Sequence, residues 1–512
     1  MTPTTARWAR ALAAAVVVSL LVWAAGSDST VSILAAFTTV VTVGLFLVPR
    51  FALAVIGVFL MTQQVLVNLA GGSVTPLGLA LHRLHQAFAV AAVVRVAVFL
   101  SWERVGPRLR PWFWLTAAFV ALGVVSGLRE HVPLTTIALG AFLAVKFPLF
   151  LLLALTISWD ERDCERIMRA ALWLGPLLFV SGVVIWMLPS DAQGIFVDHT
   201  ADAESYARGE LAAMQGIFSH PGVFGWAAAV TGCYAVAALV VGRRSWLAPA
   251  TGGVAASIGG ILASLRRKPL VALPVVTVYA VMRFATGRRR WTVLALFAVL
   301  AGGAAWIVVE RIRAEYRDAL MYVDPMAPTV PRLLLYATGI QIADSRFPLG
   351  AGFGRFGGYA SVLDYSPLYD QYGLSQVWGL NPENPYYIED TYWPHIAAET
   401  GWLGSVILLA LFVLLIERAA RAALRATDVA TKALAVGAAL ALLETLIESV
   451  AGPVFEVALF TYATAVPLGI ALSSPARRAA GSGTGTAGLV HQQHQGQEVS
   501  PIGHGEADWE GE

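Results

Sequence analysis

The residues best equipped for chemistry are cations: Leu265-Arg266-Arg267-Lys268-Pro269 places three positive charges in a short turn between two apolar segments. Guanidinium forks match phosphate oxygens in geometry and charge, so such a turn is suited to holding an anion. A further cation, Arg332, follows Pro331 at what reads as a helix start, and Tyr336 lies one turn on along the same face, followed by Ile340 and Ala343. Further downstream, Glu383, Glu389 and Asp390 offer carboxylates at the end of a stretch crowded with aromatics, among them Tyr359, Tyr369, Trp378, Tyr387 and Trp393. Amphipathic rings of this kind suit either an interfacial belt or stacking on sugar faces.

The elements that position these groups are expected to be membrane helices. With 57% hydrophobic and 13% charged residues over 512 positions, and a mean hydropathy of +0.67, the chain is too apolar for a soluble globular protein. Apolar stretches recur along almost its whole length, and about fourteen read as spanning helices. The expected fold is therefore an all-α polytopic bundle over residues 1–474, because lipid offers the backbone no other partner and the alternation of a barrel is missing. The stretch Ala11 to Ala25, behind Arg7 and Arg10, reads as a retained first helix rather than a signal peptide, given the many later spans. Cys164 and Cys233 fall too far apart in this topology for a disulfide or a metal site, and no metal or other cofactor is expected.

The distribution of charge orients the bundle. Short basic loops stay cytoplasmic, which places Glu103 to Arg110, Asp160 to Arg169, Arg243-Arg244, Arg288 to Arg290 and Arg418 to Arg425 inside. The alternate loops then face outward: Gly71 to His85, Arg129 to Pro133, Pro189 to Gln215, Leu265 to Pro269, Glu310 to Asp390 and Gly452-Pro453. Among the short outer loops, the cluster at 266–268 is the one concentrated violation of the rule, which points to a bound anion. The tail 475–512, rich in Gly, Ser, Thr and Gln, reads as disordered cytoplasm. A large outer loop at 310–391 interrupts the spans, and segments of that length are usually functional. It should contain short helices, the first ending near Phe347-Pro348, followed by the glycine-rich Pro348-Leu349-Gly350-Ala351-Gly352-Phe353-Gly354.

Three blocks in this order resemble the O-antigen ligase and polysaccharide polymerase (Wzy-like) membrane proteins. Gln215-Gly216-Ile217-Phe218-Ser219-His220-Pro221-Gly222 looks like the family's Gly-x-Phe-x-x-Pro-Asn segment, and Ser264-Leu265-Arg266-Arg267 is similar to its Ser-Arg turn. The glycine-rich run and Ala398-Glu399-Thr400-Gly401-Trp402-Leu403-Gly404 resemble the signatures that bracket the family's large outer loop. The resemblance covers about Met214 to about Ala420. It implies metal-independent glycosyl transfer at the outer face of the cytoplasmic membrane, from a glycan carried on undecaprenyl pyrophosphate to a glycan acceptor. It also implies that arginines of the short turn and of the start of the large loop hold the pyrophosphate. Ligases of the family carry a histidine nine residues before the glutamate; here that position is Asp390, and His395 lies five residues on at a different angle around the helix. This departure favours a polymerase over a lipid A ligase.

The residue chemistry runs parallel to the resemblance. Arg266, Arg267 and Arg332 read as a clamp for a departing pyrophosphate, with Lys268 beside it, against the alternative that the turn arginines bind headgroups generally or snorkel. Asp390 is the candidate proton acceptor, against the alternative that it caps the helix containing Pro394. Tyr336, Tyr387, Trp393 and His395 are candidate substrate contacts, and Glu399 is expected to position rather than to transfer protons, pairing with a clamp arginine as one route. Arg95 is expected near the cytoplasmic end of its span, Lys146 mid-helix, and Glu444 and Glu448 one turn apart on a shared face. The leading function is a polymerase of lipid-linked repeat units; ligase-type transfer is the close alternative, and a transporter or flippase of lipid-linked sugars the alternative of another class, disfavoured because no internal repeat is visible. Expected partners are the lipid-linked donor, the acceptor and the bilayer, with a flippase and a chain-length regulator as candidates and no nucleic acid.

Overall fold

The computed structural model describes Ala13 and residues 29–196, 207–208, 211–307 and 331–473. The expected first helix over Ala11 to Ala25, apart from Ala13, and the tail 475–512 lie outside the described residues. The elements are α1 (Ser29–Leu47), α2 (Pro49–Leu69), α3 (Pro76–Phe99), α4 (Trp102–Arg129), α5 (Leu134–Leu155), α6 (Glu161–Met187), the short α7 (Ser190–Gln193), α8 (Pro221–Val241), α9 (Leu247–Ala263), α10 (Arg267–Phe284), α11 (Gly287–Ile307), α12 (Pro331–Ser345), α13 (Tyr359–Leu363), α14 (Pro367–Gln371), α15 (Trp393–Arg425), α16 (Val429–Glu448) and α17 (Ala458–Ser473). One two-residue antiparallel pair, Ala207–Arg208 with Leu211–Ala212, lies between α7 and α8.

Among the described residues ten helices are long and apolar enough to cross a membrane, fewer than the expected fourteen. α10, with Arg267, Lys268 and Arg283 in eighteen residues, and α11 are not among them, and α17 is only sixteen residues long. Helix starts are encoded locally. Proline opens α2, α3, α8 and α12, where its missing N–H costs no helical bond. Thr75 accepts from the Gly78 N–H at 3.0 Å, and Asp160 and Asp163 form a reciprocal capping box at α6. Because Thr75 starts α3, the expected outer loop Gly71 to His85 is shorter, and His82, Arg83 and His85 are helical.

At the centre, α8 is buried at every position from Phe224 to Val240. Its small residues admit neighbours: a side chain at Gly225 would meet Ser264, one at Gly232 would meet Ser257, and the ring of Tyr234 lies against Gly437. Close approach of this kind drives helix association where lipid tails are as apolar as leucine. α8 packs on α6, α9, α10 and α16. At one end, ion pairs tie the basic connections together, Arg50 with Asp163 at 2.8 Å and Arg243 with Glu165 at 2.7 Å.

The segment 331–392 folds over the other end with a small core of its own, including Leu335, Ile342, Phe356, Tyr369 and Ile388. Tyr369 is fully buried, stacks on Phe356 at 5.5 Å, and accepts from the Gly357 N–H at 2.8 Å. This tyrosine therefore serves neither an interfacial belt nor a sugar platform; it holds the segment together. Docking runs through the glycine-rich run. α15 is broken at Gly401 (φ 69°, ψ −176°), and there the Ala351 and Gly352 N–H groups donate to the carbonyls of Ala398 and Glu399 at 2.7 and 2.8 Å. A Cβ at Gly401 would fall 2.1 Å from the Pro348 carbonyl oxygen, so the close approach requires glycine. Phe353 fills the space left by Gly123, and Arg346 reaches Glu130 at 3.2 Å.

Candidate functional site

The turn between α9 and α10 carries the cations. Leu265 adopts φ 57°, a region that branched side chains rarely occupy, and its strain is a local mark of a turn held by its surroundings. Arg266 follows, its Nη2 3.3 Å from Nε2 of His220 at the start of α8. Burial, with Arg266 and Lys268 adding to it, pushes the His220 pKa down to about 3, so the ring is neutral and Nδ1 accepts from the Gly222 N–H at 2.9 Å. Arg267 opens α10, half-buried. Lys268 extends its ammonium over Gly452 in the connection from α16 to α17, where a Cβ would come within 2.5 Å of Nζ. The charges of Glu448, Arg332, Asp390 and Arg266 all act on Lys268.

α12 brings in the fourth cation. It starts at Pro331 as the sequence predicts, and Nη2 of Arg332 donates to Oδ2 of Asp390. Tyr336, one turn on, donates through its hydroxyl to the Val450 carbonyl, and Trp393 Nε1 donates to Ser449 Oγ at 2.9 Å. Arg266, Lys268, Arg332, Asp390, Tyr336 and Trp393 are thus gathered around the 449–452 turn. Two expectations for Asp390 part here. α15 begins at Trp393 after Tyr392 and has no side-chain cap, so the capping role is excluded, and the carboxylate serves Arg332 instead.

His395 and Glu399 do not join this cluster. His395 is 7% exposed and Glu399 is fully buried, one turn apart on α15. Glu399 Oε1 accepts from the Arg355 and Phe356 N–H groups at 2.7 and 3.0 Å, and His395 Nδ1 contacts the Phe356 carbonyl. Nε2 of His395 lies 3.0 Å from Glu456 Oε1. Glu399 therefore anchors the glycine-rich run through backbone amides rather than pairing with a clamp arginine, and neither residue is among those lining the cavity described below. Tyr387 is half-buried in a separate aromatic group, 5.6 Å from the ring of Trp378, and its N–H donates to the Gly379 carbonyl at 2.9 Å. Within the bundle, Arg95 is buried and donates to Thr156 Oγ1 at 2.9 Å and to the Leu45 carbonyl, so it locks α3 to α1 rather than snorkelling. Glu444 and Glu448 are buried on one face of α16.

A cavity of about 620 Å³ lies beside the cluster. Its wall includes Gln63, Gln64, Lys146, Ser219, Glu389 and Glu456, and Lys146 donates to the Glu456 carbonyl at 3.1 Å. Three wall residues, Ser219, Glu389 and Pro453, immediately neighbour in sequence His220, Asp390 and Gly452 of the cationic cluster. Burial and the charge of Glu456 push the Glu389 pKa up to about 7, against the opposing pull of Lys146 and His395. Glu456 was not among the residues the sequence singled out; its only signal there is a charge three residues after Pro453 in a short connection between apolar helices. The site as a whole offers a multiply cationic rim for an anion and, next to it, a chamber of the size of small-ligand pockets whose wall mixes apolar residues with polar and charged groups. The chain matches no protein-family model, and no curated protein sequence matches it at a significant level.

Proposed function

We propose that this protein is an integral-membrane glycosyltransferase that polymerises undecaprenyl-pyrophosphate-linked repeat units at the outer face of the cytoplasmic membrane. The observation that carries this reading is the meeting of Arg266, Lys268 and the Arg332–Asp390 pair, from segments far apart in sequence, around one turn beside a cavity that holds several polar and charged side chains. As the glycosyl–oxygen bond breaks, charge grows on the departing pyrophosphate, and preorganised guanidinium groups stabilise that charge more than the ground state. Asp390 holds Arg332 in place for this task and is a positioning residue.

The outer location rests on the basic loops of the opposite end. Beside the ten described helices long and apolar enough to cross a membrane, this reading takes α10, α11, α17 and the apolar sequence Ala11 to Ala25 as further spans. A carboxylate in the position where the ligases carry histidine favours polymerase over ligase. Cells lacking the protein are expected to accumulate single lipid-linked repeats; accumulation of long undelivered chains would instead assign a ligase. In purified protein, Arg266→Ala, Arg267→Ala and Arg332→Ala are each expected to lower transfer by about 10²- to 10³-fold at wild-type abundance, with poor rescue by Lys.

A further inference from the structure

We infer that the cavity walled by α2, α3, α5 and the segment before α15 is the acceptor-sugar site, and that Glu389 takes the proton of the attacking hydroxyl. This rests on the glycosyl-transfer reading above and names the half of the reaction that the cationic cluster does not supply. Sugar hydroxyls are bound by amide and charged side chains, and this wall presents Gln63, Gln64, Gln86, Lys146, Glu389 and Glu456. The chamber adjoins the cluster at Ser219, Glu389 and Pro453, so an acceptor inside it and a pyrophosphate outside it flank a common boundary.

Glu389, rather than the other carboxylates, has the geometry of a base. Asp390 is engaged by Arg332, Glu399 by two backbone amides, and Glu456 lies against His395. Among the described residues no hydrogen bond or ion pair engages the Glu389 carboxylate, and it lines the cavity. The charged and titratable groups that surround it are Lys146 of α5, His395 of α15, Glu456 before α17, and, on the same cavity wall, His82, Arg83 and His85 of α3 and Tyr359 of α13. Their balance with burial leaves the carboxyl titrating at about 7, close to an external operating pH, where a general base is most effective.

The step balances. The acceptor oxygen bonds to the anomeric carbon as the bond from that carbon to the phosphate oxygen breaks. The hydroxyl proton passes to Glu389 and then to water, and the electron pair leaves on the pyrophosphate, held by Arg266, Arg267 and Arg332.

The test uses the full chain in detergent with lipid-linked oligosaccharide extracted from cells lacking the protein, which supplies both donor and acceptor, and with undecaprenyl pyrophosphate alone as the binding probe. Wild-type transfer is expected to rise with pH through about 7. Glu389→Gln should lower the rate by about 10²-fold or more and abolish that rise, while undecaprenyl pyrophosphate binds as to the wild type. Glu389→Asp, which keeps a carboxylate, should retain part of the rate and the rise. Wild-type transfer by Glu389→Gln, with Arg332→Ala inactive, overturns the base and leaves the donor reading standing. Loss of undecaprenyl pyrophosphate binding in Glu389→Gln also overturns it, because the residue would then act through the donor site or the fold. A wild-type protein that neither binds the probe nor extends the extracted oligosaccharide overturns both readings.

Discussion

The carboxylate of Asp390 accepts a hydrogen bond from Nη2 of Arg332, joining the first turn of α12 to the residues just before α15. Side-chain exposures of 33% and 38% leave both groups in contact with solvent, so the pair adds little to stability by itself. What it sets is direction: a long, flexible guanidinium is held in one place beside Lys268 and the 449–452 turn.

If Asp390 acts through Arg332, the two residues are energetically coupled. Asp390→Ala should reduce transfer in the wild-type background and cost little more once Arg332→Ala is present, giving a coupling of about 0.5 to 3 kcal/mol in a double-mutant cycle on kcat/KM. Asp390→Asn, whose amide oxygen still accepts from the guanidinium, should keep more activity than Asp390→Ala. Strictly additive losses would separate the two residues.

Glu399 is a structural anchor, and its variants should report on the fold. Removing its carboxylate in Glu399→Ala strands the buried N–H groups of Arg355 and Phe356 at a cost of about 1 to 3 kcal/mol each. Glu399→Gln retains an acceptor oxygen and should be the milder change. Abundance and thermal unfolding of the two variants in detergent check this order; equal damage from both would assign the negative charge, rather than the hydrogen bonds, the structural role.

Glu389 links folding to pH. Its carboxyl titrates near 7 in the folded protein against an ordinary 4.5, chiefly through burial, so the fold favours the protonated form. The sign follows: this contribution to stability is fully present below about 4.5 and is lost as pH rises through about 7. The melting temperature of the wild type should therefore fall between about pH 5 and about pH 8 more steeply than that of Glu389→Gln. Parallel curves for the two proteins would remove the linkage.

Orientation can be read by thiol labelling, because both native cysteines are fully buried and give a low background. Tyr386→Cys, at a position 69% exposed in the cluster-bearing half, should react in intact cells with a membrane-impermeant reagent. Arg166→Cys, at a side chain 76% exposed near the basic end, should react only after permeabilisation. The reverse pattern would invert the bundle and move the cationic cluster to the cytoplasm.

Much of the framework was legible in the sequence, because its causes are local. Apolar length marks a span, proline marks where α8 and α12 begin, and Arg332 and Tyr336 share a face because they are one helical turn apart; the starts of α3 at Pro76 and α6 at Glu161 fall inside stretches that read as loops. The grouping of Arg266, Arg267 and Lys268 is likewise a property of neighbouring residues. Partners were not legible, since they depend on which distant segments pack together. Asp390 before a helix looks like a cap until α12 delivers Arg332 to it, and Glu399 looks available to a cation until the glycine-rich run lays two amides on it. Tyr369 is one more aromatic in a polar stretch until the small core of the 331–392 segment closes around its ring. The cavity has no sequence signature at all: its wall is drawn from helices and connections that meet only in the packed bundle, where burial, not residue type, sets the titration of Glu389.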